Sequence, residues 1–369
     1  MDIQVGKYVG FAEVEEELLQ GVSRSFALTI PQLPAGLRER VTNAYLLCRI
    51  VDTIEDEETL PIESKRNFFD EFNGLLGKGD ISSVVAFADR LLPQLSGGTL
   101  PAEKELVRQA GPVLQTFFAM TDRQREILAR CLRIMSVGML RFQESKSVAG
   151  LPALSDLNAY CYHVAGVVGE MLTELFSDYS VEIAAVRNKL LALAPSFGQG
   201  LQMTNILKDV WEDQERGACW LPRDIFHENG FNLHDLGNPA YTPGFGAGLT
   251  ELLAITHGHL RSALDYTLLI PRKETGIRKF CLWGIGMAVL TLRNIHSRPQ
   301  YRNVEQIKIS RREVKKIILV SNMWIKNDFM LRKAFRIAGR GLPIREVKQG
   351  PSYSVWCAPD GASLLYQET

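Results

Sequence analysis

YLLCRIVDTIED, residues 45–56, ends in the pattern Asp-x-x-Glu-Asp, and the same pattern returns in NILKDVWED, residues 205–213. On a helix, positions i, i+3 and i+4 share one face, so each stretch carries its three carboxylates on one side. Like charges at this spacing destabilise a helix by a few tenths of a kcal/mol per pair. We therefore expect a cationic partner at each face. The two triples are Asp52, Glu55 and Asp56, and Asp209, Glu212 and Asp213.

The spacing by itself is weak evidence, as a third acidic triple shows. Glu13, Glu16 and Glu17 have the same spacing, but Glu15 lies among them and the segment is typical of a solvated helix face. The two Asp-x-x-Glu-Asp triples differ because they continue helices that are otherwise largely apolar. A functional interpretation is favoured for these two alone.

Each triple extends a polar row along its helix. The first helix is expected to begin near Leu37, and the second to cover residues 182–213 with a disruption at Pro195. The polar side chains of two such rows most easily find hydrogen-bond and charge partners if the rows face each other across a wet, ion-filled cavity. Either row alone could be a solvated face. The rows are Tyr45, Arg49, Asp52 and Asp56, and Gly198, Gln202, Asn205, Asp209 and Asp213.

Helical periodicity covers most of the chain, and no segment alternates with period two for long, so the fold class is all-α. Residues 227–248 contain five Gly and two Pro and are expected to be irregular. Residues 215–223 form a compact loop that could lie over the cavity mouth. Further helices are predicted at 11–20, 63–77, 81–94, 102–119, 121–146, 156–176, 249–270 and 274–295.

Composition is that of an ordinary globular protein, with 369 residues, 46% hydrophobic content and a formal net charge of zero. Between Arg293 and Lys348, however, fifteen Lys and Arg face four Asp and Glu. This basic segment predicts an anionic partner, either a membrane surface or a phosphorylated cofactor. Nucleic acid is not expected, because no nucleic-acid-binding module is recognisable.

Six scattered cysteines without a Cys-x-x-Cys pattern suggest buried thiols in a reducing compartment. The N-terminus lacks the features of a signal peptide, and the most apolar run, residues 280–292, is too short to cross a bilayer. That run is expected to be buried in a core or to line an apolar pocket. A cytoplasmic protein is expected, with peripheral association at the inner face of the membrane as an open alternative.

Carboxylates without neighbouring His or Cys ligands favour hard cations, and Mg²⁺ typically takes one or two carboxylates together with substrate phosphates. His257 and His259 form the one close histidine pair and are expected on the surface or in the core. The chain has no P-loop, Gly-x-Gly-x-x-Gly or Gly-x-Ser-x-Gly motif. The kind of site left by these exclusions is a metal-bound diphosphate above an apolar helical pocket. Such a site is suited to ionising a prenyl diphosphate.

Two short motifs leave alternatives open. Ser23-Arg24-Ser25-Phe26 could cap a helix or hold an anion, with the cap favoured. Gly166 and Gly169 lie in a predicted helix interior, where each costs up to about 1 kcal/mol relative to Ala. Close approach of a helix backbone or of a ligand should compensate.

With these motifs the chain resembles the squalene and phytoene synthases, which join two isoprenyl diphosphates head to head. The resemblance covers roughly residues 20–320. It implies the all-α isoprenoid-synthase fold of class I terpenoid synthases, with the Asp-rich helices facing across a central cavity. The expected organisation is one prenyl transferase domain, residues 1–340, and an irregular tail, residues 341–369. The motifs that carry the resemblance are residues 23–26, 45–56, 160–169, 202–213 and the Arg-Gly-x-x-x-Leu-Pro loop at 216–222.

The resemblance also implies roles for individual residues. Both acidic triples would hold Mg²⁺ and the diphosphates, and Tyr45 and Tyr160 would stand near the reacting carbons. Arg24, Arg49 and Lys208 would contact phosphate oxygens, with hydroxyls from Ser23 and Ser25. The substrate pocket would be shaped by Phe26, Gln202, Asn205 and Phe280.

Within the family, squalene synthases reduce the joined product with NADPH, and the stretch at residues 160–169 is closer to these members. Lys308-Ile-Ser-Arg-Arg is similar to their cofactor-binding Lys-Ile-Arg, but Ser310 stands where Arg is expected, so Arg311 and Arg312 are the candidate replacements. The leading hypothesis is a bacterial-type squalene synthase acting on farnesyl diphosphate. The alternatives are a dehydrosqualene, hydroxysqualene or phytoene synthase and, from another class, an inactive helical scaffold or membrane-associated binding module. The sequence does not predict an oligomeric state.

Overall fold

The computed structural model describes residues 3–237 and 242–347, and in these residues the regular secondary structure is entirely helical. The one β-type contact described there is an isolated parallel bridge between Leu151 and Pro222. The α-helices are α1 Ile3–Val22, α2 Phe26–Thr29, α3 Ala35–Asp56, α4 Ile62–Lys78, α5 Ile81–Leu91, α6 Pro101–Arg108, α7 Ala110–Phe118, α8 Asp122–Glu144, α9 Leu154–Cys161, α10 Val167–Tyr179, α11 Val181–Ala184, α12 Arg187–Glu215, α13 Arg223–Glu228, α14 Pro243–Leu269, α15 Thr275–Ser297, α16 Arg311–Trp324 and α17 Asp328–Ala338.

The all-α prediction is confirmed, but three predicted helices are each divided. The predicted helix at 182–213 is interrupted at residues 185–186, between α11 and α12. Residues 102–119 form α6 and α7, because Pro112 has no N–H to donate to Arg108 and its ring would clash with that carbonyl. Residues 156–176 contain a wider helical turn, Tyr162–Gly166, between α9 and α10. Wide turns of this kind are frequent at functional sites.

Two predicted interruptions are wrong. The helix α12 continues through Pro195, because residues 193–200 are all buried and packing outweighs one lost hydrogen bond. Residues 243–248 begin α14 instead of extending an irregular connection; Thr242 accepts a hydrogen bond from the N–H of Phe245 and so caps the helix.

The core is formed by α12, which packs against α10, α14 and α15. Glycines permit the closest crossing: a Cβ at Gly198 would overlap the carbonyl oxygen of Ala165, and one at Gly169 would overlap that of Ala194. Of the two alternatives predicted to offset the cost of glycines inside a helix, close approach of a helix backbone is the one observed. This crossing holds the wide turn against α12.

Gly198→Ala is expected to destabilise the protein by about 2 kcal/mol, because the added methyl meets backbone that cannot rotate away. Gly74→Ala is the matched control. It lies inside α4, where an added Cβ meets open space, and should stabilise by about 0.5–1 kcal/mol. Urea denaturation of both variants measures the difference. Equal stability of the two would contradict the close crossing.

The helix α15 contains the apolar run at residues 280–292. It is the one helix in the described chain that is long and apolar enough to cross a membrane, but 61% of its most apolar window is buried inside the protein. It packs against α12, α14 and α16, so it is placed as a core helix. Of the two settings predicted for this run, the core is the one observed.

Five of the six cysteines lie in the described residues, and all five are buried and unpaired, as predicted. Cys357 and residues 348–369 of the predicted tail lie outside the described residues. His257 and His259 are buried core residues, and burial lowers the pKa of His259 to about 4. His259 contacts the hydroxyl of Ser196, and no zinc-type cluster forms around the pair in the described chain.

Candidate active site

The C-terminal halves of α3 and α12 face each other across a cavity of about 340 Å³. This size lies within the range of small-molecule sites. The two polar rows predicted from the sequence therefore meet in space at their C-terminal parts, whereas Tyr45, Arg49, Asp52 and Gly198 lie outside the lining. The predicted site residues that line the cavity are Glu55, Asp56, Tyr160, Gln202, Asn205, Asp209 and Asp213.

The carboxylates in and beside the cavity carry an electrostatic cost. Burial, reinforced by Asp56 and Asp52, raises the pKa of Glu55 to about 8. Burial, with the charges of Asp209 and Asp56, raises the pKa of Asp213 to about 6. Asp56 and Asp213 belong to opposite helices, so the repulsion acts across the cavity. Such a site attracts cations.

Arg49 links the first acidic triple to a helix that the motifs did not identify. Its Nη1 donates to Asp52 Oδ2 at 3.3 Å, its Nη2 lies 3.8 Å from Asp56 Oδ2, and Nη2 also donates to Glu103 of α6. Asp52 is thus placed against Arg49 and is not a lining residue. Glu103 had no sequence signal, because its partner lies 54 residues away.

Aromatic side chains form two pairs beside the acidic residues. Tyr160 stacks on Trp220 with ring centroids 4.2 Å apart and planes 5° apart, and both rings line the cavity. Tyr45 packs against Phe26 with centroids 5.0 Å apart. Ser23 accepts a hydrogen bond from the N–H of Phe26, the first residue of α2, whereas Ser25 at the N-cap position makes no side-chain capping bond.

Three cations at the cavity were not predicted as site residues. They are Lys65 of α4, Lys146 after α8, and Arg216, which lies in the predicted loop after α12. Lys65 donates to the carbonyl oxygen of Glu55, and Gln143 donates to the carboxylate of the same residue at 3.3 Å. The Arg-Gly-x-x-x-Leu-Pro pattern pointed to Arg216, whereas the other two cations are isolated in sequence. The loop lies at the cavity through Arg216 and Trp220.

The remaining predicted residues lie outside this cavity lining. Phe280 is a core residue that packs edge-to-face against Phe176. Lys208 pairs with Asp209 at 3.2 Å, and Lys308 pairs with Glu305 at 2.8 Å. The others absent from the lining are Ser23, Arg24, Ser25, Phe26, Tyr45, Arg49, Asp52, Glu212, Arg311 and Arg312.

Ser310 has a structural role at the position where the family resemblance predicts Arg. Its hydroxyl accepts a hydrogen bond from the N–H of Glu313, whose carboxylate accepts from the backbone N–H of Ser310. This capping box begins α16. Arg311 and Arg312 follow it as exposed residues of the first turn.

The four carboxylates in the cavity wall offer the oxygen donors that Mg²⁺ prefers. Within residues 3–237 and 242–347, no three His, Cys, Asp or Glu side chains converge as a complete metal cage. Mg²⁺ does not require one, since it keeps waters and takes one or two carboxylates together with substrate phosphates. Two carboxylates from each of two helices, with cations beside them, fit Mg²⁺ bound with a diphosphate.

We expect the unliganded protein to become less stable relative to an Asp213→Asn variant as pH rises from 5 to 8. A carboxyl whose folded pKa is raised stabilises below its unfolded pKa of about 4, and this contribution is lost as pH rises through the folded value of about 6. Asn cannot ionise. The expected relative loss is about 1 kcal/mol after allowance for solvent screening, read from thermal unfolding in a chelator. A pH-independent difference would contradict the burial of this charge.

Comparison with known proteins agrees with the fold. The family model described as squalene/phytoene synthase matches residues 19–313. The squalene synthase of Candida albicans is 31% identical over 291 residues, which cover 77% of this chain and 62% of that protein. The squalene synthase of Schizosaccharomyces pombe is 28% identical over 321 residues, which cover 86% of this chain and 66% of that protein. The chain thus spans about two thirds of the length of these relatives.

Solved structures show the same architecture. A ligand complex of TcSQS superposes with a TM-score of 0.73 at 23% identity, covering 89% of this chain and 91% of that one. A dehydrosqualene synthase in complex with a ligand superposes with a TM-score of 0.59 at 21% identity, and the match covers 87% of this chain and 98% of that one. At these identities the likeness establishes the helical fold.

Proposed function

This chain belongs to the squalene/phytoene synthase family, and from that premise we propose that it is a squalene synthase, which joins two farnesyl diphosphates head to head through presqualene diphosphate and reduces the product with NADPH. One observation carries the proposal. Acidic residues of α3 and α12 face each other across one cavity, with cations and stacked aromatic rings in its wall. The squalene synthase names of the two yeast relatives support the choice within the family.

The acidic residues are proposed to bind the Mg²⁺ ions that neutralise the diphosphate leaving group. Glu55, Asp56, Asp209 and Asp213 are the proposed Mg²⁺ ligands in the cavity wall, with Asp52 and Glu212 beside them. Bound Mg²⁺ supplies electrostatic stabilisation of the departing diphosphate. Burial and, after it, mutual repulsion raise the pKa of Glu55 and Asp213, and bound cations offset both costs of the ionised carboxylates.

Basic and amide side chains position the diphosphates. Lys65, Lys146 and Arg216 lie in the same wall as the carboxylates and can donate to phosphate oxygens. Arg49 and Lys208, predicted as phosphate contacts, are held by Asp52 and Asp209 and complete the charge balance of the two acidic helices. A guanidinium held by three carboxylates keeps one orientation, so it needs no reorganisation when the substrate binds.

The aromatic pair of Tyr160 and Trp220 is proposed to stabilise the prenyl cation. The ring faces of stacked aromatics attract positive charge, and a pair held parallel in a cavity wall exposes such a surface. Burial, together with Glu55, Asp56 and Asp213, raises the pKa of Tyr160, so its hydroxyl stays protonated during the reaction. Tyr45, held by Phe26, is proposed to act near the reacting carbons from the other side of Arg49.

The reductive step needs NADPH, and Lys308, Arg311 and Arg312 are the proposed contacts to its phosphates. These three cations surround the start of a 14-residue helix, where the N–H groups of Arg311 and Arg312 remain outside the Ser310–Glu313 capping box and, with the cationic side chains, suit a phosphate. Bound NADPH supplies the hydride that quenches the final cation. The side chains serve to hold the dinucleotide and leave the cavity chemistry unchanged.

Incubation with farnesyl diphosphate and Mg²⁺, with and without NADPH, tests the proposal. Squalene is expected when NADPH is present, and presqualene diphosphate is expected to accumulate when NADPH is omitted. Lys308→Ala combined with Arg311→Ala should raise the NADPH concentration needed for squalene formation without changing presqualene diphosphate formation. Phytoene from geranylgeranyl diphosphate, or a product indifferent to NADPH, would refute the squalene synthase assignment.

A second candidate is a family member that ends without hydride transfer, as dehydrosqualene, hydroxysqualene and phytoene synthases do. The observation that favours it is Ser310, which caps α16 where a cofactor-binding Arg is expected. Ser310→Arg separates the two cases. If the chain already uses NADPH through Arg311 or Arg312, the variant should form squalene as before and only lose about 1 kcal/mol of stability.

The organisation of the chain follows the same proposal. Residues 1–340 would form one head-to-head prenyl transferase domain, with the remaining residues as a tail. The enzyme would work in the cytoplasm, where both NADPH and soluble prenyl diphosphates are available. Residues 342–347 pack on α14 through Leu342, the carbonyl of Pro343 and Arg345. Limited proteolysis followed by mass spectrometry should therefore yield one resistant fragment that extends at least to residue 347.

A further inference from the structure

The helices α16 and α17 pack on the protein through one face each. The inner faces contact a small apolar cluster that includes Leu264 and Trp283 and is separate from the main core. The inner-face residues are Ile317, Ile318, Trp324, Leu331 and Phe335. The opposite faces of both helices therefore point away from that cluster, and we call them together the outer face.

The outer face exposes large apolar side chains. The described chain has twelve exposed large hydrophobic residues, and five of them lie on these two helices, which contain only 25 residues. Single exposed apolar residues are ordinary, whereas a concentration of this kind marks an interaction site. The five residues are Leu319, Val320, Met323, Phe329 and Ile337, which are between 38% and 68% exposed.

Basic residues are interleaved with these apolar side chains. Between Arg311 and Arg340 there are nine Lys and Arg and two acidic residues. Both acidic residues are already neutralised, Glu313 by Arg293 and Asp328 by Arg272 and Arg278. The outer face is therefore strongly positive. Besides Arg311 and Arg312 in the first turn of α16 and Arg340 after α17, the exposed basic residues of this region without an ion-pair partner in the described chain are Lys315, Lys316, Lys326, Lys333 and Arg336.

Charge and apolar area together decide which partner fits. A face rich in Lys is unsuited to the core of a protein interface, where Lys is depleted. Nucleic acid offers negative charge and bases that stack on an aromatic ring such as that of Phe329, but it leaves the four exposed aliphatic side chains without a contact. Helices that combine Lys and Arg with large apolar residues on the exposed side lie at the surface of anionic membranes.

We propose that the outer face of α16 and α17 docks on the surface of an anionic lipid bilayer. Lys315, Lys316, Lys333 and Arg336 contact the headgroups, and Met323 and Phe329 insert among them. This contact uses no residue of the cavity and does not depend on the proposed function. It would nevertheless bring an enzyme with an apolar product to the phase in which that product dissolves.

The test is sedimentation of the full chain with vesicles of phosphatidylcholine alone or of phosphatidylcholine with 30% phosphatidylglycerol, where the percentage is about that of a strongly anionic membrane. Binding to the anionic vesicles is expected, with weak binding to the neutral ones. Raising the salt concentration from about 0.1 to 0.5 M should weaken binding, because it screens the charges. Equal binding to both vesicle types would overturn the anionic specificity.

Two variants separate the contributions of charge and apolar area. Lys316→Glu with Lys333→Glu should weaken binding to anionic vesicles by at least about 30-fold, since each basic residue near such a surface contributes about a factor of five. Met323→Ser with Phe329→Ser should weaken binding by at least about tenfold. All four side chains are exposed, so none of these changes should affect folding.

Matched controls lie on other surfaces of the molecule. Arg133→Glu with Lys189→Glu makes the same change in net charge, and Val137→Ser with Val181→Ser removes apolar side chains that are 68% and 88% exposed. Both controls should bind vesicles within about twofold of the parent chain. Equal losses in controls and outer-face variants would refute the site. Outer-face variants that change the sedimentation coefficient but not vesicle binding would assign this face to a second copy of the chain.

Discussion

Asp209→Asn is expected to lower the rate of product formation by at least about 10³-fold, or about 4 kcal/mol in the transition state, while the protein remains folded. Asp209 lines the cavity, and burial raises its pKa, so the ionised side chain already destabilises the unliganded protein. Asn has the same shape without the charge. Activity should therefore be lost while stability is unchanged or slightly increased, a combination that a folding defect cannot produce.

Measurement of turnover with farnesyl diphosphate, alongside thermal unfolding, tests this expectation. Asp70→Asn is the matched control, because Asp70 is an exposed carboxylate of α4 away from the cavity. Asp52→Asn should also abolish turnover, since it removes one carboxylate of the first acidic triple and the charge that faces Arg49 Nη1. If Asp209→Asn retained activity within tenfold of the parent chain, the metal site would have been placed wrongly.

Asp328→Asn is expected to destabilise the protein by about 3 kcal/mol. Arg278 of α15 has a fully buried side chain, and its Nη2 donates to Asp328 at the start of α17. Removal of the carboxylate leaves a buried guanidinium without its charge partner, which is among the most costly single changes in a protein interior. The Nε and Nη1 atoms of Arg278 have no hydrogen-bond partner in the described chain, so no other side chain there replaces Asp328 as a partner for this buried charge.

A double variant distinguishes this explanation from a general defect in α17. Arg278→Met removes the buried charge and keeps a similar length of apolar chain, so Arg278→Met with Asp328→Asn should recover most of the lost stability. Denaturant unfolding of the two single variants and the double variant measures the coupling between the residues. Additive losses would show that the buried charge is not the cause. Asp265→Asn removes a more exposed ion pair to Arg332 and should cost less than about 1 kcal/mol.

The acidic helices were predictable because their signal is local. Asp-x-x-Glu-Asp places three carboxylates on one helix face whatever the surroundings, and the apolar residues beside them show that the face borders a core. The repeat of this pattern also predicted that the faces meet, as Asp56 and Asp213 do across the cavity. The wide turn after α9 was not predictable in this way, since residues 156–176 satisfy helical periodicity throughout.

The cavity wall also contains residues with no local signal. Lys65 and Gln143 are ordinary polar residues of α4 and α8 until both contact Glu55. Conversely, the family resemblance assigned Phe280 to the substrate pocket, but its ring lies against Phe176 in the core. Helices α16 and α17 were absent from the sequence prediction because their apolar residues point in two directions, some inward to the core and others outward to solvent.

The sequence by itself determined the all-α class, the two acid-bearing helices and their opposition, because the 3.6-residue period assigns each side chain to a face before any packing occurs. Tertiary structure alone decided which distant residues complete the site: Glu103 on Arg49, Trp220 on Tyr160, and Lys65 on Glu55. The physical reason is that such contacts depend on how helices cross. The crossing of α10 and α12 is set by small residues such as Gly198, which carry no chemistry of their own.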